Sequence, residues 1–354
     1  MSTQPRQSSL NSRQSRPLSP RSRRLSRFLT LSALALVVGV LSACGSSDSG
    51  EDVEREASAS AGTYGAPLDF SGIAFLEQQI FPEQEAFLVV HDGKNDAEER
   101  DQPRVSLVKT PTSLDGIQIV PQTSLTFDLI PNDLESVAIV PGRKGALLAE
   151  SGVSSDPDQA MIYYITWDAE LTFEVESATE WPRPVTNVEA TAVVSIGDKL
   201  WFLYAERNDG HETTQIHGTE LNIGNDGSLQ FDDEWTSEDF APPVPADPTD
   251  ARPASALNID TDGTIYVASA FDPGDLGPFT SAVWNAGTVD VDSAGGLVLN
   301  LTDTPVAVAI SDGLKIEAIA LNADKSVRPI FIGMDDEDYG GALRPLSKTS
   351  LLQR

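Results

Sequence analysis

The chain is poor in the residue types and motifs on which nucleophilic catalysis depends. It has one cysteine and three histidines in 354 residues, so a disulfide within the chain is excluded. It also contains no Gly-x-Ser-x-Gly elbow and no His-Glu-x-x-His pair, two short motifs that mark hydrolase active sites. Nucleophilic catalysis therefore finds little support in the sequence.

Acidic residues are absent from the first 44 positions, which hold seven arginines and end in the apolar run FLTLSALALVVGVLSAC. The uninterrupted apolar part is about 15 residues long, short of the roughly 20 that a membrane-crossing helix needs. It ends in small residues rather than in a charged stop, as secretory leaders do. Residues 1–43 are therefore predicted to be a signal peptide.

The last four residues of this run, LSAC, contain the only cysteine, Cys44. They resemble the lipobox of bacterial lipoproteins, in which the cysteine is diacylated on sulfur and becomes the new N-terminus. The resemblance implies a lipid anchor at Cys44, because two or three acyl chains hold a protein stably on a bilayer. Gly45 follows instead of an aspartate, which in a Gram-negative host suggests the outer membrane, facing the periplasm. The alternative for Cys44 is a buried thiol.

Basic residues are scarce beyond the leader. Without its seven arginines the chain keeps 17 basic residues against 54 acidic ones, a formal charge of −37. Such a surface repels nucleic acid and anionic lipid, so neither is expected as a partner. A salt-adapted host would explain the acidity without any specific function.

Composition divides the mature chain. Residues 44–66 are rich in serine, glycine and acids and lack periodic apolar positions, which is typical of a flexible tether. Residues 67–346 form the predicted domain, long enough for one large unit or two small ones. Residues 347–354 are a short tail.

Short β-type runs dominate the domain, among them AFLVV, MIYYITW, KLWFLYA and TIYVAS. Turn signals such as NDG, TDG and SDG separate them, and no stretch sustains a helical period over about 12 residues. The predicted fold class is all-β.

A strand pair recurs five times along the domain. The first strands read FSGIAF, LESVAIV, VEATAVV, ASALNI and IEAIAL, and each is followed by a second apolar run. The positions taken as equivalent are Ile73, Val137, Thr191, Ala256 and Ile319. Their spacings of 54 to 65 residues fit four-stranded antiparallel blades with some long loops.

Five units predict a five-bladed β-propeller. A sixth blade is possible if a degenerate one lies in residues 232–252, and a pair of β-sandwiches is the rival architecture. The fifth unit has too few residues after Leu343 for four strands. A segment near residues 62–70 is therefore expected to complete it and close the ring.

The segments LESVAIV…LLAESG and KIEAIALNADKSVRPIFIGMDDED resemble blades of the superfamily that contains gluconolactonase, strictosidine-synthase-like proteins and esterase-like phytases. The resemblance covers roughly residues 67–346 and implies the fold more than an activity. In the calcium-dependent members a glutamate that opens an innermost strand is a metal ligand, which matches Glu135, Glu189 or Glu317 by position.

Blade geometry places charged residues on one face of the predicted ring. An innermost strand starts at the edge where the second strand of its blade ends, so Glu135, Glu189 and Glu317 should line the mouth of the channel. Residues that end second strands should lie slightly outward on that face: His91, Asp92, Glu150, Glu206, Arg207, Asp272 and Asp335 to Asp338.

Converging carboxylates repel one another unless water, a cation or a basic residue intervenes, and oxygen ligands suit calcium. The tentative metal ligands are Glu135, Glu189, Glu317, Asp335 and Asp336. The pattern departs from the relatives, because Ser136, Ala190 and Ala318 follow the glutamates where glycine is usual, and Ser71 and Ala254 replace the glutamate in units one and four. Alternatively, the glutamates bond backbone amides of neighbouring blades, and the run DDED is a solvated loop.

The histidines offer one weak catalytic candidate. His211 and His217 would be about 20 Å apart on an extended strand, too far to share a metal. His91, at the end of a second strand, is the candidate general base, and a surface histidine is the alternative.

The sequence is compatible with two functions. The first is an envelope lipoprotein whose propeller binds a protein or small-molecule partner, with no required cofactor. The second is a calcium-dependent esterase, lactonase or phosphoesterase acting at the channel mouth.

Overall fold

The computed structural model describes residues 64–65, 69–76, 85–94, 102–110, 118–122, 125–152, 160–207, 214–243, 253–274, 276–322, 330–336 and 340–346. The predicted signal peptide, Cys44 and the tail 347–354 lie outside these residues. Every regular element in the described part is a β-strand, so the predicted all-β class is confirmed. None of the described residues forms a helix long and apolar enough to cross a membrane.

The strands form five antiparallel sheets in chain order, which are the blades of a propeller. Blade 1 contains β2 (Gly72–Leu76), β3 (Ala86–Val90), β4 (Val105–Lys109) and β5 (Gln118–Pro121). Blade 2 contains β6 (Leu134–Ile139), β7 (Gly145–Glu150), β8 (Met161–Trp167) and β9 (Phe173–Glu180). Blade 3 contains β10 (Val188–Ile196), β11 (Lys199–Arg207) and β12 (Thr214–Ile223), with β13 (Leu229–Phe231) and β14 (Thr236–Phe240) both paired to β12.

The last two blades have unequal strands. Blade 4 contains β15 (Ala254–Ile259), β16 (Thr264–Phe271), β17 (Thr280–Val291) and β18 (Leu297–Asp312). Blade 5 contains β19 (Ile316–Leu321), β20 (Ile330–Asp335) and β21 (Gly341–Leu346), and its fourth strand is β1 (Tyr64–Gly65).

The ring is closed by the start of the domain. Tyr64 pairs with Leu343 and Gly65 with Ala342, so the prediction that a segment near residues 62–70 completes the last blade is confirmed. The six-bladed alternative is wrong. The described part of residues 232–252 adds β14 to blade 3 because its residues pair along β12.

Apolar side chains pack between each pair of neighbouring blades. Strands β3, β7 and β20 are buried along their whole length, since a second strand is covered on both faces by adjacent blades. Between blades 5 and 1, for example, the rings of Phe87 and Phe331 meet edge-on at 4.8 Å. The strand β9 is at the outside and alternates buried and exposed residues, as a half-buried strand does.

Candidate functional site at the channel mouth

Four innermost strands carry a β-bulge close to their start. The antiparallel register omits one residue in each of them: Glu135 in β6, Glu189 in β10, Ser255 in β15 and Glu317 in β19. A bulge inserts an unpaired residue and re-aims its side chain. These four side chains therefore do not follow the regular alternation of side-chain directions along their strands.

The bulges correct one alignment made from the sequence. Ser255, not Ala254, is the blade 4 counterpart of the glutamates, and Leu257, not Ala256, corresponds to Val137. Strand alternation alone could not reveal the shift, because Ala254, Ser255 and Ala256 are all small and fit either alignment. The hydroxyl of Ser255 donates to the carbonyl of Ile316 at 2.5 Å, which ties blade 4 to blade 5.

The three glutamates converge as predicted from the blade geometry. Glu135, Glu189 and Glu317 line one narrow space on the propeller axis together with Ser71 of blade 1; we call this space the channel mouth. The free volume is about 10 Å³, near the minimum that holds one water molecule. The innermost strands approach closely here, since a Cβ on Gly72 would lie 2.9 Å from Cα of Ser136.

A buried lysine forms ion pairs with the acids on the blade 5 side of the mouth. Nζ of Lys315 lies 3.0 Å from Oε1 of Glu317, 3.1 Å from Oδ2 of Asp272 and 3.7 Å from Oδ2 of Asp335. We call these four residues the Lys315 cluster. The lysine side chain is 8% exposed, so its charge acts with little solvent screening.

Arg207 plays the corresponding part in blade 3. Its Nη2 lies 2.7 Å from Oε2 of Glu189, and its Nε donates to the carbonyl of Ala254 at 3.2 Å. Glu189 and Glu317 therefore form ion pairs with Arg207 and Lys315. The alternative, in which the glutamates bond backbone amides of neighbouring blades, stays a prediction.

Glu135 belongs to a different group. Asp92, Asp133 and Glu135 each place a carboxylate oxygen so that all three atoms lie within 4.8 Å of one another; we call these residues the carboxylate trio. Asp133 is buried and the other two are partly exposed. Lys94 approaches Asp133 at 3.8 Å, but its side chain is 51% exposed, so solvent screens that pair.

Electrostatics at the mouth favours the protonated state of the glutamates. Burial, followed by the charges of Glu189, Asp133, Glu317 and Asp92, raises the pKa of Glu135 well above its usual value. Burial raises the pKa of Glu189 to about 7, although Arg207 and Lys315 oppose the shift. Burial and the neighbouring Asp335 likewise raise the pKa of Glu317. Ionised glutamates are therefore costly here unless a cation joins them.

His91 lies in blade 1 with both ring nitrogens engaged. Nδ1 is 2.7 Å from the carbonyl of Asp69 and Nε2 is 2.9 Å from Oγ of Ser106. The residue is 3% exposed, so the surface-histidine alternative is wrong. Burial lowers the pKa of His91. These contacts favour a structural role, and its action as a general base stays a prediction.

The acidic run of blade 5 is not a solvated loop where the structure describes it. Asp335 is the last residue of β20 and is 5% exposed, and Asp336 is 8% exposed. Oδ1 of Asp336 accepts the backbone N–H of Lys315 at 2.8 Å. The solvated-loop interpretation is thus wrong for both aspartates, while Glu337 and Asp338 lie outside the described residues.

Other acids at the ends of second strands have structural partners. Glu150 accepts hydrogen bonds from the backbone N–H groups of Asn132 and Met161 and from the hydroxyl of Tyr163. Glu206 accepts the backbone N–H and the hydroxyl of Thr186. Oε2 of Glu206 also lies 3.6 Å from Nε2 of the buried His217. His211 lies outside the described residues.

Lys315 and Asp133 are the residues that the sequence prediction missed. Each lies two positions before the bulged glutamate of its blade. The main-chain oxygen of each accepts an N–H from the end of the second strand, Ser151 to Asp133 and Asp335 to Lys315. Extending the repeat by two residues toward the N-terminus would have revealed both.

Comparisons with known proteins add little beyond this geometry. No protein-family model and no curated protein matches the chain. Solved structures similar to it include an endo-arabinase from Bacteroides thetaiotaomicron, with 10% identity, a TM-score of 0.48 and coverage of 81% of this chain and 97% of that one. A β-1,2-mannobiose phosphorylase from Listeria innocua has 11% identity, a TM-score of 0.46 and coverage of 80% and 91%. At these scores the likeness carries no argument about activity, and the fold assignment rests on the strand pairing.

Proposed function

We propose that the protein is a lipid-anchored envelope protein whose propeller is a binding module, and that the channel mouth receives a cationic group of its ligand. The observation that carries this proposal is the convergence of Glu135, Glu189 and Glu317 on a space of about 10 Å³. Three carboxyl groups with raised pKa values in one place destabilise the free protein, and such groups cluster at functional sites.

The size of the space limits what can enter it. A sugar ring or a nucleobase does not fit into about 10 Å³, whereas a metal ion or the terminal ammonium of an amine is of this size. The bulk of a larger ligand would therefore lie outside the mouth, over the ends of the second strands.

The alternative of a calcium-dependent esterase, lactonase or phosphoesterase receives less support. Its candidate base, His91, is buried and already bonds Asp69 and Ser106 through its two ring nitrogens. Such an enzyme would also need a bound cation, so the titrations described below bear on it as well.

Titration calorimetry of two matched triple variants tests the binding function, with spermidine as the ammonium probe and calcium chloride as the metal probe. The first variant replaces Glu135, Glu189 and Glu317 by glutamine. The second replaces Glu174, Glu176 and Glu180, which are exposed on β9, and changes the net charge equally.

We expect the first variant to lose binding of the probe that the wild type binds, and the second variant to keep it. Equal losses in both variants would mean nonspecific attraction to an acidic surface and would contradict the proposal. Circular dichroism checks that both variants are folded, and the single variant Glu135→Gln replaces the triple one if that variant does not fold.

A further inference from the structure

The carboxylate trio has the spacing of ligands that share one metal ion. One oxygen from each of Asp92, Asp133 and Glu135 lies within 4.8 Å of the other two. Calcium binds oxygen at about 2.3–2.6 Å, so two oxygens on one ion are at most about 5 Å apart. Carboxylate oxygens are also the ligands that calcium prefers, in contrast to zinc or copper.

A second, independent feature of the mouth indicates a ligand. Oγ of Ser71 is buried and has no hydrogen-bond partner among the residues that the structure describes. Ser71 is 2% exposed and lines the channel mouth together with Glu135. A buried hydroxyl without a partner is costly and calls for an explanation such as a water molecule or an ion.

The propeller also holds a counterpart of the trio that already contains a cation. In blade 5 the ammonium of Lys315 lies among Glu317 of the same strand start and Asp272 of the preceding blade. In blade 2 the equivalent backbone position is Asp133, with Glu135 of the same strand start and Asp92 of the preceding blade. Blade 5 thus has the ammonium of Lys315 at this position, whereas blade 2 has the carboxylate of Asp133 there.

We propose that Asp92, Asp133 and Glu135 bind one calcium ion between blades 1 and 2, with Ser71 beside it. This inference rests on the proposed function, because Glu135 belongs both to the channel mouth and to the carboxylate trio. Of the metal ligands predicted from the sequence, the proposal keeps Glu135 alone. Glu189 forms an ion pair with Arg207, and Glu317 and Asp335 lie close to the ammonium of Lys315. Asp336 accepts the backbone N–H of Lys315.

Calcium titration of the full chain after treatment with a chelator tests the proposal. We expect one calcium per chain in the wild type. Glu135→Gln or Asp92→Asn should weaken calcium binding at least about tenfold, the lower bound seen when groups that support a metal site are removed. Glu174→Gln, on the exposed side of β9, is the control and should keep both the stoichiometry and, within about threefold, the affinity.

The substitution Asp133→Asn gives a readout that misfolding would not produce. Asparagine tolerates the left-handed backbone of this position, whose φ is 67°, and keeps an oxygen that accepts the hydroxyl of Ser151. It removes one of the three charges, so it should weaken calcium binding at least about tenfold while the melting temperature in chelator stays at or above that of the wild type. Calcium binding that survives Glu135→Gln and Asp133→Asn would overturn the proposal. So would the absence of any calcium binding at millimolar concentration.

Spermidine separates failure of this inference from failure of the proposed function. One outcome is that spermidine binds the wild type but not the triple variant of Glu135, Glu189 and Glu317, and that calcium binds neither protein. In that case the proposed calcium site is wrong and the cation-binding mouth stands. If the wild type binds neither probe, both are wrong.

Discussion

Lys315 lies with its Nζ 3.0 Å from Oε1 of Glu317, two residues further along the same chain segment. Both side chains are nearly buried. The ammonium of Lys315 places a positive charge beside Glu317, and it explains how blade 5 tolerates Asp272 and Asp335 nearby.

Replacing Lys315 by methionine should therefore destabilise the domain strongly. Removing one partner of a buried ion pair costs about 3–5 kcal/mol, because the remaining charges are left uncompensated. Urea denaturation measures the loss. The control is Lys199→Met, which breaks a 2.6 Å pair with Glu220. The side chains of this pair are 39% and 22% exposed, so solvent screens it and the control should cost far less than Lys315→Met. Equal costs in the two variants would show that Lys315 is not a buried counter-ion.

The stability of the metal-free protein should fall as the pH rises through the range in which Glu189 titrates. Its pKa in the folded state is about 7, above the usual value of 4.5, so the folded chain holds this proton more tightly than the unfolded chain does. The stabilisation is complete below pH 4.5 and is lost as the pH rises through 7.

Glu189→Gln measures this contribution when melting temperatures are recorded from pH 4 to pH 8 in chelator. Glutamine resembles the protonated carboxyl group, so the variant should gain stability relative to the wild type as the pH rises. Glu174→Gln, on the exposed face of β9, is the control and should run parallel to the wild type. A difference between Glu189→Gln and the wild type that is independent of pH would contradict the prediction.

Much of the fold could be predicted because each blade repeats the same alternation. The strand pairs that begin near Val137 and Ile319 have the same order of apolar and polar residues, and their spacing indicates four short strands. Too few residues follow Leu343 to complete the last blade, so its fourth strand was predicted to come from residues before the first blade. The pairing of Tyr64 with Leu343 confirms this closure of the ring.

The site was harder to predict because its chemistry depends on contacts between blades. The convergence of Glu135, Glu189 and Glu317 followed from strand direction, but their different partners did not. Glu317 contacts Lys315, Glu189 contacts Arg207, and Glu135 lies near two aspartates. These partners are either distant in sequence or outside the repeated strand pair, so the repeat does not predict them. The run DDED could also be interpreted as a solvated loop, yet β20 continues through Asp335 and buries it.

Shortening the chain from the N-terminus should weaken the ring at a defined point. A chain that begins at residue 68 lacks β1, and blade 5 then loses the hydrogen bonds of Tyr64 and Gly65 to β21, each worth about 1 kcal/mol. We expect its melting temperature to be lower than that of a chain that begins at residue 58, which keeps the strand. Identical melting temperatures would mean that β1 does not hold the ring closed.

The predicted anchor has a separate test. Cys44→Ser removes the only thiol and with it the site for acyl chains, so the protein should move from the membrane fraction to the soluble fraction of its host. Metabolic labelling with a palmitate analogue should fail for this variant. Continued labelling or retention in the membrane fraction would contradict lipidation at Cys44.

Crystals grown with manganese, which replaces calcium at sites built from oxygen ligands, test the central claim most directly through the anomalous signal of the metal. We predict an anomalous peak within bonding distance of carboxylate oxygens of Asp92, Asp133 and Glu135, and none beside Lys315. Peaks confined to exposed acids, with none at the carboxylate trio, would contradict the calcium site formed by Asp92, Asp133 and Glu135.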